Sequence, residues 1–150
     1  MAQSLSHVQS ASRPNRLDRS ASIAVAASVL ALIALAPPGN EVQAANDLAA
    51  LWAAEARGSL GGTHAQNWLY PALTGTRTEA GIPAGVAGRS VVAHKTGTLD
   101  QIDNDAGLVQ SGPNGAYVLT VMTDGLGSAG WALIASIAST VWSFESARAG

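Results

Sequence analysis

Two apolar runs, 106–110 and 116–123, are separated by little more than Ser111-Gly112-Pro113-Asn114-Gly115. Five turn-forming residues in succession reverse the chain, so the two runs are expected to pair as an antiparallel hairpin. A third apolar run, 89–96, precedes them and is also bounded by turn formers. Three strands in meander order are the simplest arrangement.

Helical periodicity flanks this sheet. After Gly130, the residues Trp131, Ile134, Ile137, Ala138, Val141 and Trp142 recur at helical spacing over a wide arc, as in a helix pressed on a sheet, with Ser128 as its cap. Upstream, Leu48, Leu51 and Trp52 predict a helix over 46–57, capped by Asn46 or Asp47 and ended by Gly58. Thr63 is placed to cap a short helix carrying Trp68, Leu69 and Leu73, which Pro71 limits because proline has no N–H to donate. Between Leu73 and Gly88 the mixture of Gly, Pro and Thr reads as loop. The expected fold class is α+β, three antiparallel strands with helices on their apolar face and the four tryptophans as core anchors.

The N-terminal segment has a different character. Arg13, Arg16 and Arg19 precede an apolar run over 21–36, which Pro37, Pro38 and Gly39 interrupt. Basic residues followed by an apolar stretch predict an export signal, with cleavage after Val42-Gln43-Ala44. Residues 1–44 are then the signal and 45–150 the mature domain, periplasmic or extracellular. A membrane anchor or a core helix are the competing readings; the run is shorter than the roughly 20 residues of a span, so membrane contact is expected only through an uncleaved signal.

Composition removes several function classes. A net charge of −2 gives no positive field for phosphates, and 5% aromatic residues are too few for base stacking, so nucleic acid is not an expected partner. The chain has no cysteine, which excludes disulfides, thiolate zinc sites and thiol nucleophiles. No cofactor or metal is expected.

The chemistry is concentrated in Val91-Val92-Ala93-His94-Lys95-Thr96-Gly97-Thr98-Leu99, followed by Asp103-Asn104-Asp105-Ala106-Gly107-Leu108-Val109 and preceded by Gly81-Ile82-Pro83-Ala84-Gly85. In this order the segments resemble the third conserved box, Lys-Thr-Gly, of class A β-lactamases and penicillin-binding proteins, and the resemblance runs over about 46–148. It implies a fragment of the β-lactamase/transpeptidase fold and a serine acyl-transfer reaction on a β-lactam or a peptidoglycan-like peptide. Lys95 and Thr96 would hold the substrate carboxylate, Gly97 would let substrate approach the backbone, and the Thr98 amide would supply one oxyanion donor.

The resemblance also exposes a gap. The family nucleophile is a serine three residues before a lysine, one helical turn away, where amine and hydroxyl can meet. Lys95 is the only lysine in the sequence, and Val92 stands three positions before it. There is no Ser-x-Asn segment, and Glu41, Glu55, Glu79 and Glu145 do not match the loop glutamate that positions the deacylating water. No catalytic residue is therefore assigned, and the chain is expected to be a truncated family member, inactive alone. In the family's sheet the 116–123 strand pairs with an N-terminal strand that has no counterpart here, so self-association through an unpaired edge is expected. The alternative is a secreted, non-catalytic binding module that uses this edge.

Other patterns carry less. Gly125-Leu126-Gly127-Ser128-Ala129-Gly130 matches a dinucleotide fingerprint, but no later strand completes a βαβ unit or brings Glu145 to a ribose, so it reads as a glycine-rich connection. His94 could be a base oriented by Asp103 or Asp105; strand alternation turns it away from Lys95, which favours a structural or solvent-facing role. Asp100, Asp103, Asn104 and Asp105 lack the offsets of a calcium loop and read as a turn with solvated carboxylates, while His7 and His64 have no partners at metal-ligand spacing.

Overall fold

The structure is a computed structural model describing residues 40–86 and 88–149, with side-chain surroundings from residue 44 onward. Helix α1 (Asn40–Ala56) leads into α2 (Gly62–Ala72) and a short α3 (Ile82–Val86). Strands β1 (Val92–Leu99), β2 (Ile102–Gly112) and β3 (Gly115–Met122) follow, and α4 (Gly130–Arg148) closes the fold. The sheet is antiparallel in the order β1-β2-β3, the expected meander in an α+β fold. The expected export signal falls almost wholly outside the described residues; 40–44 form the start of α1. Among the described residues no helix is long and apolar enough to cross a membrane.

The sheet is covered on both faces, which corrects the expectation of helices on one. Val92, Val109, Tyr117, Leu119 and Val121 pack with Ile82 and Val86 of α3 and Ile134, Ala138 and Val141 of α4. On the opposite face Ala93, Ala106, Leu108 and Val118 pack with Trp52 and Ala53 of α1. A strand sandwiched this way needs apolar or satisfied residues at consecutive positions, and 105–109 of β2 are buried without a break.

Several element ends depart from expectation for local reasons. The first strand begins at Val92 rather than residue 89, because Arg89 donates through Nε to the Val86 carbonyl and through Nη2 to Gly85, closing the end of α3. Helix α3 lies where a loop is expected; it is held by α4, where a β-carbon on Gly85 would stand 2.3 Å from the Ala135 carbonyl oxygen and 2.5 Å from the Ala138 β-carbon. Asn46 and Asp47 lie inside α1 instead of capping it. Gly61 in the left-handed region, rather than Thr63, precedes α2, and Pro71 sits in the helix's last turn. Ser128 makes no capping bond; a 3₁₀ turn at Gly127–Ala129 runs directly into α4. Of the four tryptophans, Trp52 is buried and Trp131 and Trp142 flank the core, but Trp68 is 72% exposed and anchors nothing there.

Candidate functional site

The free edge of β1 is built by strand period and one hydrogen bond. The His94 amide donates away from β2, to the Leu73 carbonyl at 2.8 Å, while Gln110 donates inward to the Val91 carbonyl at 2.9 Å. In an antiparallel strand these directions alternate, so the backbone N–H and C=O of Thr96 and Thr98 also point outward. Beyond His94 this edge faces no other strand among the described residues. Lys95 is exposed, and its Nζ donates to the Thr96 carbonyl, so the ammonium lies along the same edge. The register puts Thr96 and Thr98 on the face of Asp105 and Asp103, and Lys95 and Gly97 on the face of Ala106 and Asn104. A ligand lying along the edge would be flanked by the lysine from one side and the threonines from the other. Nothing stands within 4 Å of where a Gly97 β-carbon would be, so the edge is open at that residue.

His94 is the buried counterpart of this edge. It is 1% exposed and faces away from Lys95, as alternation predicts, in a structural rather than solvent-facing position. Gly107 lies opposite it, and a β-carbon there would come within 2.6 Å of the His94 β-carbon; the missing side chain makes room for the imidazole. Nδ1 meets Asp105 Oδ1 at 2.8 Å, and Nε2 lies 3.1 Å from Glu79 Oε1 and 3.2 Å from Thr76 Oγ1. The second Asp105 oxygen accepts the Ile82 amide at 2.8 Å. Glu79 Oε1 also accepts the Thr76 amide at 2.5 Å and its hydroxyl at 3.0 Å. The segment 73–82 is thereby stitched to β1 and β2.

The electrostatics follow from this packing. For His94 burial is the largest influence and favours the neutral ring, but the hydrogen bond and charge of Asp105, joined by those of Glu79, outweigh it and raise the imidazole above its ordinary value. For Glu79 burial pushes upward, yet the bonds from His94 and Thr76 prevail and hold the carboxyl below its ordinary value. Sequence reasoning finds His94 and Asp105 but misses Glu79, Thr76 and the Ile82 amide, because their contacts are set by the path of an irregular segment. Gly81 is the one local signal: a β-carbon there would stand 2.3 Å from Asp105 Oδ2.

The remaining patterns have structural roles. Asp103 and Asp105 are buried at 5% and 1%, which corrects the reading of a solvated turn; only Asp100, at φ 48°, occupies the β1–β2 turn. Asp103 lies against Gly130 at the start of α4, and Asn104 Oδ1 accepts the Thr123 amide. The Gly125–Gly130 stretch joins β3 to α4, and Glu145 is buried within α4 beside Arg148. That is the expected connection and not a nucleotide fingerprint.

Comparison with known proteins gives a consistent picture. A model of the beta-lactamase enzyme family matches residues 10–144. The fold is similar to that of a PBP-A mutant solved as its acyl-enzyme complex with penicillin G, with 29% identity and a TM-score of 0.60 over 66% of this chain and 38% of that one. A second PBP-A structure gives 27% identity and a TM-score of 0.58 over the same shares. The chain thus spans well under half the length of these relatives. No curated protein sequence gives a significant match.

Proposed function

From the premise that this chain belongs to the beta-lactamase enzyme family, we propose that its β1 edge is the substrate-binding wall of a serine acyl-transfer site. Lys95 and the Thr96 hydroxyl take the carboxylate of a β-lactam or of a peptidoglycan-like peptide. The outward N–H of Thr98 donates a hydrogen bond to the carbonyl oxygen as negative charge develops there, and Gly97 leaves the edge clear between them. One observation carries this reading: the Lys95 ammonium and the outward-facing N–H of Thr98 lie on the same open stretch of one strand edge. The PBP-A acyl-enzyme with penicillin G lends the substrate class.

The 150-residue sequence has no Ser-x-x-Lys box, so the wall acts here without a nucleophile. In enzymes of this logic, loss of the nucleophile costs about a millionfold in turnover and leaves only binding and the oxyanion hole. The chain alone binds and does not hydrolyse; in the family the complete site degrades antibiotics or remodels cell-wall peptide. The basic-then-apolar order of 13–36 supports export to the periplasm or beyond. Titration of the labelled protein with benzylpenicillin tests the wall. Saturable amide shifts confined to 95–98, weakened about tenfold by Lys95→Ala as for one charged hydrogen bond, are expected. Shifts elsewhere, or nitrocefin turnover at an enzymatic rate, would contradict the reading.

A second reading has its own support. β3 is the other edge of the sheet, with no partner strand among the described residues, and Met122 is exposed at its end. A non-catalytic module pairing through that edge is the alternative.

A further inference from the structure

The cluster around His94 plays no part in the proposed binding wall, yet it sits where the wall begins. The Leu73 carbonyl covers the β1 edge at His94, and the edge opens from Thr96 onward. We propose that His94 is a proton-controlled latch that holds the segment 73–82 across the β1 edge and sets where the open edge starts. This goes beyond the family reading and stands whether or not the wall binds a carboxylate.

A carboxylate only accepts, so a ring bonded to Asp105 through Nδ1 and to Glu79 through Nε2 must carry both protons. The imidazolium therefore bridges β2 and the 73–82 segment. When the ring loses one proton, Nδ1–H stays with Asp105, the buried and shorter partner, and Nε2 becomes an acceptor. The Thr76 hydroxyl, 3.2 Å away and already turned between Nε2 and Glu79, is the donor at hand. Glu79, 43% exposed, then loses its hold on the sheet while Asp105 keeps both His94 and the Ile82 amide. The latch releases at one end only.

Of the other charged groups, Arg77 on the same 73–82 segment is exposed to solvent. The residues of α3 that face the ring are uncharged, Lys95 leaves the opposite face of β1, and Arg89 is bound to the end of α3. Glu145 and Arg148 of α4 pair with each other, and Asp103 lies further along β2 beside Gly130. Because His94 is raised, its contribution is complete below the ordinary histidine value of about 6.5 and is lost as pH rises through the folded value. Because Glu79 is lowered, its contribution is complete above about 4.3 and is lost as pH falls through the folded value. The latch is strongest between those limits.

Ring-nitrogen NMR and amide exchange on the full chain test this, with exposed His64 as the internal reference. The expected result is a doubly protonated His94 at pH 6 whose midpoint lies above that of His64. Across that midpoint, exchange protection, corrected for intrinsic rates, should fall several-fold at the His94 and Thr76 amides and stay constant at Ile82. Glu79→Gln, at a half-exposed position that tolerates change, should lower the midpoint and flatten the response. A midpoint at or below that of His64 overturns the proposal. So does protection at His94 and Thr76 that ignores the midpoint, or a Glu79→Gln protein that behaves as the parent.

Discussion

The His94 imidazole and the Asp105 carboxylate meet at 2.8 Å with neither side chain exposed to solvent. Asp105 also binds the Ile82 amide, so one carboxylate joins β1, β2 and the start of α3. Asp105→Ala leaves a buried ring and a buried amide without an acceptor. Loss of about 3 kcal/mol of stability is expected, the range for breaking a buried pair by removing one partner. Urea denaturation checks it; a loss below about 1 kcal/mol would mean that the junction is not structural.

Glycines on neighbouring strands give opposite predictions. In Gly107→Ala the new β-carbon would lie 2.5 Å from the Ala93 carbonyl oxygen and 2.6 Å from the His94 β-carbon. Overpacking of this kind costs about 1–3 kcal/mol. Gly97→Ala meets nothing within 4 Å and should change stability by no more than about 0.5 kcal/mol, while impeding any ligand along the edge. Denaturation midpoints and benzylpenicillin titration of the two variants separate packing from access.

Tyr117 is 2% exposed and its hydroxyl is buried without a hydrogen-bond partner among the described residues. Burial, with the nearby Glu145 charge adding to it, pushes the phenol up to about 12. Its folded value lies above the unfolded one near 10, so the associated stability is complete below pH 10 and is lost as pH rises toward 12. Tyr117→Phe removes an unsatisfied polar group and should be neutral or stabilising by about 1 kcal/mol. It should also remove part of the alkaline loss, read from unfolding between pH 9 and 11.5, a range set by these values.

The second edge makes a prediction about association. A strand with a free ladder of N–H and C=O groups recruits another, and an added charge opposes this. Concentration-dependent self-association is expected for the parent chain in sedimentation, reduced by Met122→Lys at the exposed end of β3.

What could be read from residues alone was the part governed by local pattern. The reversal within Ser111–Gly115 and the periodicity from Trp131 to Trp142 need no tertiary information; the hairpin and the helix stand as expected, although the turn tightens to Pro113-Asn114 and β2 starts earlier, at Ile102. Helix α3 was not legible, since Ile82-Pro83-Ala84-Gly85-Val86 is a poor helix former and is held by its crossing with α4. From sequence alone Asp103 and Asp105 read as solvated, because carboxylates rarely lie in a core unpaired; the histidine and backbone amide that satisfy Asp105 come from other elements. Lys95, Thr96, Gly97 and Thr98 stand out as a motif, whereas the outward direction of the Thr96 and Thr98 backbone is set by the register of β1 against β2. Glu79 and Thr76 carried no signal, because a segment without periodicity does not announce its contacts.

The reading proposed above gives this sequence a substrate-binding wall at Lys95–Thr98 without a Ser-x-x-Lys nucleophile. Intact-mass spectrometry of the purified protein after incubation with excess benzylpenicillin tests it most directly. The account predicts an unchanged mass; a stoichiometric penicilloyl adduct would contradict it.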